Sequence, residues 1–495
     1  MKDKIIFWID AFPLSFFLSY YFGKQYDCEL YAIMDITDQP KKFYQKQKLV
    51  NFKKVWFYHD HITIKKPDLN YLKSFEEKYK INLWTLAYNE RIFYQYNEFY
   101  KFSLDEVLSI LEHECRLFEN ILDEVKPNFV FMYNTTLHHN HLFYEICKAR
   151  KIKTLFLVST RLGTKYAISS TADIIDFKDN LIQTYKKRTF EELQNYLKEN
   201  SFFKVGREFE QNFIKSKSGA IRAVLRFLFT KNSNLKTHYS YFGRTKIKVL
   251  IIYIRNYLKK TYRKSFIEKN FAKKIDMNEP YILYTMQQEP ERSLLITAPF
   301  YTNELEVLKN IVKSLPVGYK LYVKEHHAMD LRDWRKISYY KEILNLPNVK
   351  LLHPYLNPEE IIKNSLLVIA ISGTSAFEAA FYNKPSIVFA ETSFSNLPSV
   401  YKIKSLDELP TVIRNLLKMK VNSDDISRFI DIIEKNSFNF NVNSIIIDYQ
   451  NRFTYGGFLV DVKIKPLEME KFLEFHKEKF NKLVSVVLKK IAPDN

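Results

Sequence analysis

The sequence predicts an α/β protein with two Rossmann-like, doubly wound domains facing a cleft, joined by a basic, mainly helical connecting segment. Three observations carry this. Short apolar runs alternate with helix-spaced apolar residues over residues 1–160, and the same rhythm returns over residues 276–420. Between them the rhythm is lost and positive charge accumulates.

In the first domain, KIIFWI (residues 4–9) reads as a strand and FFLSYYF as a helix, and ELYAIMD follows as a second strand. The segment 105–125 repeats its apolar residues at helical spacing, FVFMY (129–133) is a strand, and a helical stretch from His138 to Arg150 leads to the strand TLFLV (154–158). Residues 161–275 form the connecting segment, read as helices. In the second domain the strands are YILYTM (281–286), YKLYVK (319–324), VKLL (349–352), LLVIAI (366–371) and SIVFA (386–390), with helical patterns between them. Residues 421–495 read as a helical tail.

With 46% hydrophobic and 16% aromatic residues the chain has ample material for packed cores, which excludes extensive disorder. Only nine of 495 residues are glycine, and neither GxGxxG nor GxxxxGK[ST] can be written anywhere. Dinucleotide fingerprints and P-loops are therefore excluded. Cys28, Cys115 and Cys147 are scattered and form no CxxC pair, so neither a disulfide framework nor a zinc ribbon is expected. Asp10 interrupts what would be the apolar region of a signal peptide, and no apolar run approaches the ~20 residues of a membrane span. The expected location is cytoplasmic, peripheral at the inner face of the cytoplasmic membrane.

Net charge is +20. From Lys204 to Lys274 there are nineteen Lys/Arg against three acids, Glu208, Glu210 and Glu268, which places sixteen of the twenty surplus charges in one segment. Interleaved with Phe, Tyr, Leu and Ile, these cations suit an anionic membrane surface, and residues 204–274 are the expected contact. No nucleic-acid-binding motif accompanies them, so nucleic acid is not an expected partner.

Three segments carry candidate chemistry. In LLVIAI-SGTS-AFEAA a buried strand runs into Ser372, Gly373, Thr374 and Ser375 and then into a helix, so hydroxyls and unpaired N–H groups gather at a helix N-terminus, an anion site. Glu378, one turn on, is placed to accept from a ribose diol. In LYVKEHHAMD a strand ends in Lys324, Glu325, His326 and His327, a set that can bind phosphate or move protons near neutral pH. The strand YILYTM ends in the polar loop Gln287–Ser293, which includes Gln288, Glu289 and Glu291.

Together, QQEPERS, KEHH and SGTSAFEAAFYNKPSIVF resemble, in the same order, the motifs of the capsule and surface-polysaccharide biosynthesis glycosyltransferases that include bacterial capsule Kdo transferases. The resemblance spans residues 280–415. It departs from the family pattern where Glu289 separates Gln288 from Pro290 and where His327 takes the place of a proline. It implies a GT-B-like plan, with an acceptor domain at residues 1–160 and a nucleotide-sugar-binding domain at residues 276–420. It also implies His326, Ser372 and Thr374 on the donor phosphate, Glu378 on the ribose, and Gln288, Glu289 and Glu291 on the nucleotide side. Lys324, Glu325, His327 and Gly373 belong to the same donor site.

The amino-terminal half should supply a catalytic carboxylate, and Asp10, at the end of the first strand, is the candidate; a helix cap or turn role is the alternative. Arg161 and Lys165 are candidates for the acceptor side, with a solvated loop as their alternative. The expected activity is transfer of a sugar from a nucleotide-activated donor, CMP- or UDP-linked, to a glycan or glycolipid acceptor of capsule or lipopolysaccharide biosynthesis. The competing readings are a teichoic-acid-type CDP-polyol phosphotransferase, a nucleotide-sugar epimerase and a basic nucleic-acid-binding protein. No cofactor is expected, and without a DxD pair at a strand end no metal ion is expected.

Overall fold

A computed structural model describes residues 2–177, 184–215, 217–331 and 334–491, with the side chains of residues 213–215 and 217 left out. Thirteen described strands form two sheets. The first contains β1 (Asp3–Ile9), β2 (Cys28–Met34), β3 (Phe52–Phe57), β4 (Phe129–Met132), β5 (Lys153–Ser159), β6 (Lys165–Ser169) and, from far downstream, β13 (Phe438–Asn439). Its order is β13-β6-β5-β4-β1-β2-β3. Pairing is parallel from β3 to β5 and antiparallel at β6 and β13. The second sheet is wholly parallel, in the order β12-β11-β10-β7-β8-β9. It comprises β7 (Tyr281–Thr285), β8 (Lys320–Lys324), β9 (Val349–Leu352), β10 (Leu367–Ala370), β11 (Ser386–Val388) and β12 (Val400–Lys402).

The central strands carry unbroken apolar runs because helices cover both sheet faces. β4 and β10 are buried along their whole length, and Phe7 pairs with Phe131 in register across β1 and β4. The helix Leu104–Val125 starts at a capping box between Ser103 and Glu106 and ends where Lys126 turns left-handed at φ 52°. Its apolar stripe of Val107, Ile110, Leu111 and Phe118 lies in the core under one face of the first sheet.

The structure differs from the sequence reading at the edges. The first sheet does not stop near residue 160, since β6 and β13 extend it. β3, β6, β12 and β13 escape a pattern reading: FKKVWF alternates weakly, and the others are only two to five residues long. The connecting segment is helical, but its helix Phe190–Glu199 buries Leu193 and Leu197 in the second domain's core beside Phe377 and Ala380. The tail folds back on the first sheet. Phe472 packs 4.8 Å from Phe17 between ring centroids, Phe480 stacks on Tyr21, and the Tyr21 hydroxyl donates to the Leu473 carbonyl at 2.6 Å. Each such buried aromatic contributes about 1.5–3 kcal/mol, so the tail is part of the first domain's core. The three cysteines are free thiols.

Candidate active site

A cavity of about 390 Å³ lies where the carboxyl ends of the two sheets meet. From the first sheet its wall takes Tyr133, Asn134 and Thr136 after β4, and Ser159 and Arg161 after β5. From the second it takes Pro290–Ser293 after β7, Ser372 after β10 and Glu391–Phe394 after β11. Parallel sheets bind ligands at this edge because helix N-termini and loop N–H groups converge there.

Arg292 clamps the two sides. It donates to both carboxylate oxygens of Asp173, 2.8 Å for the Nη2–Oδ2 contact, and its Nε donates to the Thr135 carbonyl at 2.8 Å. Arg91 joins the Thr136 and Pro290 carbonyls, and the Ser393 hydroxyl donates to the Asp173 carbonyl at 3.1 Å. A bidentate guanidinium fixes angle as well as distance, so the loops after β6 and β7 are held in one relative position, with the loop after β4 tied in through Thr135.

On the second domain, Gly373 is the N-cap of the helix Thr374–Phe381. A Cβ there would come within 3.1 Å of Gln287 Nε2, so glycine leaves room for the loop after β7 to approach. Ser372 Oγ donates to the Ser293 carbonyl at 3.2 Å and lies 3.5 Å from Gln287 Oε1. Ser375 Oγ meets Thr285 Oγ1 at 2.6 Å. Thr374 hydrogen-bonds Glu378, and burial pushes the Glu378 carboxyl up to about 7. Of this strand-to-helix turn, Ser372 alone lines the cavity; Gly373, Thr374, Ser375 and Glu378 lie behind it.

The KEHH residues divide. Burial, followed by the positive neighbours His327 and Lys324, pushes His326 down to about 3, so its ring is neutral at pH 7. Its Nδ1 accepts from the Ala328 N–H at 3.2 Å, which puts the ring proton on Nε2. None of Lys324, Glu325, His326 and His327 lines the cavity. Lys324 Nζ is buried and donates to the Pro354 carbonyl at 2.8 Å. Glu325 joins a buried network in which Arg335 pairs with Glu325, with Glu304 at 3.1 Å and with Glu289 at 3.2 Å, while also donating to the Gln287 carbonyl at 2.6 Å. The Tyr284 and Tyr340 hydroxyls complete it on Glu304 and Glu325. His327 turns away to Glu210, at 3.1 Å, and to the edge of Phe203.

Of the other candidates, Glu291 and Arg161 line the cavity, the latter with its guanidinium 5.0 Å from the Phe202 ring centroid. Gln288 is half-buried in the same loop. Glu289 is drawn to Arg335. Lys165 is held on β6 by Glu434 and Tyr196, outside the cavity wall. Asp10 follows directly on β1, next to β4, and does not itself line the cavity, although Tyr133, one residue beyond β4, does. It accepts from the Phe12 N–H at 3.0 Å, and burial with the charge of Asp35 pushes its carboxyl up to about 7.

The sequence reading passed over Gln287, Asp173 and Arg335. Gln287 sits one residue before the chosen Gln288 in the loop after β7 and is the one whose side chain lies 3.5 Å from Ser372 Oγ. Asp173 and Arg335 stand in no motif, and only the folded chain brings them to Arg292 and Glu325.

Residues 185–404 match the family model described as capsule polysaccharide biosynthesis protein, so the resemblance read from the motifs stands over that stretch. No curated protein matches the chain. Similar solved structures include the UDP-GlcNAc 2-epimerase of Methanocaldococcus jannaschii, at 15% identity over 88% of this chain and 100% of that one with a TM-score of 0.24. They also include MnaA of S. aureus with UDP, at 10% identity over 94% and 99% with a TM-score of 0.25. A third is KpsC of Thermosulfurimonas dismutans, a β-Kdo 2,7-transferase, at 11% identity over 63% and 79% with a TM-score of 0.28. Likenesses this distant carry nothing about chemistry.

Proposed function

We propose that this chain is a glycosyltransferase of surface-polysaccharide biosynthesis, moving a sugar from a nucleotide-activated donor to a capsule or lipopolysaccharide glycan or its lipid-linked precursor. The observation that carries the reading is the polar cavity between the two sheet edges, whose second-domain wall lies within the stretch matching the capsule family. In this reading the donor diphosphate or monophosphate rests on Ser372 and the N-terminus of the helix Thr374–Phe381, where backbone N–H groups offset its charge as the sugar leaves. The Nε2–H of neutral His326 is a further donor to the leaving phosphate. Glu378 holds the ribose, and Asp10 faces the acceptor, taking its proton if the reaction inverts or shielding an oxocarbenium-like centre if it retains.

Thermal melts of the full chain with CMP, CDP, UDP and GDP test this. One nucleotide at 100 times its dissociation constant is expected to stabilise by ~2.7 kcal/mol, and Ser372→Ala is expected to remove most of that shift. A chain that responds to none of the four does not bind an activated sugar, and the reading falls.

The acceptor side includes the membrane. On the helix Lys246–Asn270 the residues Ile247, Ile251, Ile254, Leu258 and Tyr262 repeat at helical spacing and are 60–72% exposed. Ile221, Leu225 and Phe229 form a similar stripe on the helix Lys217–Phe229. Apolar stripes flanked by the surplus of Lys and Arg suit the surface of an anionic bilayer, where each cation contributes about 1 kcal/mol. No described helix is long and apolar enough to cross a membrane. Phosphatidylglycerol vesicles are expected to sediment the protein and pure phosphatidylcholine vesicles to leave it in solution. The triple variant I247E/I251E/I254E, altered only at exposed positions, is expected to lose at least tenfold in binding; unchanged binding would refute the surface.

A further inference from the structure

In the first domain, behind the loop that follows β4, a buried cluster of titratable groups plays no part in the proposed transfer. Glu114 lies on the core face of the helix Leu104–Val125, in line with Ile110 and Phe118, and is fully buried. His138 and His139 open the helix His138–Ala149 and are each 1% exposed. One nitrogen or oxygen from each of these three residues falls within a span of 4.8 Å, with His138 Nε2 and Glu114 Oε1 at 3.0 Å. Ligand atoms around a tetrahedral ion with bonds of about 2.0–2.1 Å stand ~3.3 Å apart, so small adjustments would bring the set to that spacing.

Two further features point to a ligand. The outward nitrogen of each imidazole is already held by a carboxylate, His138 Nδ1 on Glu90 at 2.9 Å and His139 Nε2 on Asp35 at 2.8 Å. This is the supporting pattern of metal-bound histidines, in which an outer carboxylate fixes the tautomer and aims the other nitrogen inward. The second oxygen of Glu114, Oε2, is buried with no hydrogen-bond partner, whereas Oε1 is crowded by Tyr58, Tyr239 and His138. A buried carboxylate oxygen without a partner is costly and is normally satisfied by an ion or a water.

Three carboxylates, Glu90, Glu114 and Asp35, converge here, faced by His138, His139 and His59, with His238 stacked on His59. A cavity of about 100 Å³ walled by Glu90, Thr136 and His138 gives a route to the cluster.

We propose that Glu114, His138 and His139 bind a first-row divalent cation of the zinc class, in a structural site independent of the transferase reading. Two imidazoles and a carboxylate are the donors that Zn²⁺ and Co²⁺ accept, and the Tyr239 hydroxyl, 3.3 Å from both Glu114 Oε1 and His139 Nδ1, is next to the set. Binding displaces the proton between His138 Nε2 and Glu114 Oε1. The ion ties two helices of the first domain to Tyr239, and thereby to the basic connecting segment.

The test is metal analysis of the full chain expressed in zinc-supplemented medium, followed by replacement with Co²⁺. Close to one zinc per chain is expected, with visible d–d bands of a low-symmetry Co²⁺ site that added Zn²⁺ quenches. Glu114→Gln is expected to abolish the bands. Glu90→Gln, which alters only the outer carboxylate, is expected to weaken Co²⁺ affinity by about 10–100-fold. A wild-type protein that carries no metal and shows only the spectrum of aqueous Co²⁺ overturns the site, whether or not the variants fold. Unchanged affinity in a folded Glu114→Gln protein overturns it equally.

Discussion

Asp10→Asn is expected to lower turnover by about 10²–10⁴-fold while leaving the fold intact. The expectation rests on position: Asp10 follows directly on β1, whose neighbour β4 runs into Tyr133 on the cavity wall, and its carboxyl is pushed up to about 7 by burial and by Asp35. A base with that value works near neutral pH, so the wild-type rate should climb with pH, reach half its maximum near 7 and level off above it. Stability should move the opposite way. The folded state keeps a proton on Asp10 that the unfolded chain, with a carboxyl near ~3.9, releases, so the folded state loses stability as pH rises from about 4 to 7 and stays lower above that. Asparagine carries no charge and escapes this loss, so the variant should melt at a higher temperature than the wild type at pH 8. Nucleotide release from the donor and a pair of melting curves check both halves. If turnover stays within threefold of wild type, Asp10 has no role in the chemistry.

Arg335→Met is expected to destabilise the second domain by about 3–5 kcal/mol. Arg335 is buried and is the cation shared by Glu304, Glu325 and Glu289, of which the first two are fully buried. Removing it strands carboxylates away from water, which is far costlier than the pair itself is stabilising. The same guanidinium holds the Gln287 carbonyl, so the loop that carries Gln288 and Glu291 should loosen with it. Denaturant unfolding of the variant would read the loss directly. A variant as stable as wild type would overturn Arg335 as the counter-charge that holds this network together.

Much of the architecture was legible before folding was considered. Apolar runs such as KIIFWI, FVFM and LVIA announce strands buried on both faces, because only such strands have no polar side to show. SGTS before AFEAA announces a strand-to-helix turn with its N–H groups free, and the structure puts Ser372 on the cavity wall. The charge of residues 204–274 was visible by counting, and the apolar stripe of the helix Lys246–Asn270 follows from its spacing.

KEHH shows where such reading stops. Four polar residues in a row look equivalent on paper, but alternation at a strand end sends them apart. Lys324 goes to a backbone carbonyl, Glu325 to a buried arginine, His327 to a glutamate of the connecting segment, and only His326 is left as a neutral imidazole. Their partners lie ten to more than a hundred residues away, and no local pattern encodes such a pairing.

The sequence by itself determined the alternation of strands and helices, the two-sheet plan and the basic segment, because burial and periodicity are properties of neighbouring residues. The tertiary structure alone decided that the tail completes the first domain's core, that Arg292 and Asp173 lock the cavity, and that Glu114 meets His138 and His139. Those outcomes depend on chain segments far apart in sequence arriving at one place, and the energy of a buried charge or hydrogen bond is set only when its partner is there.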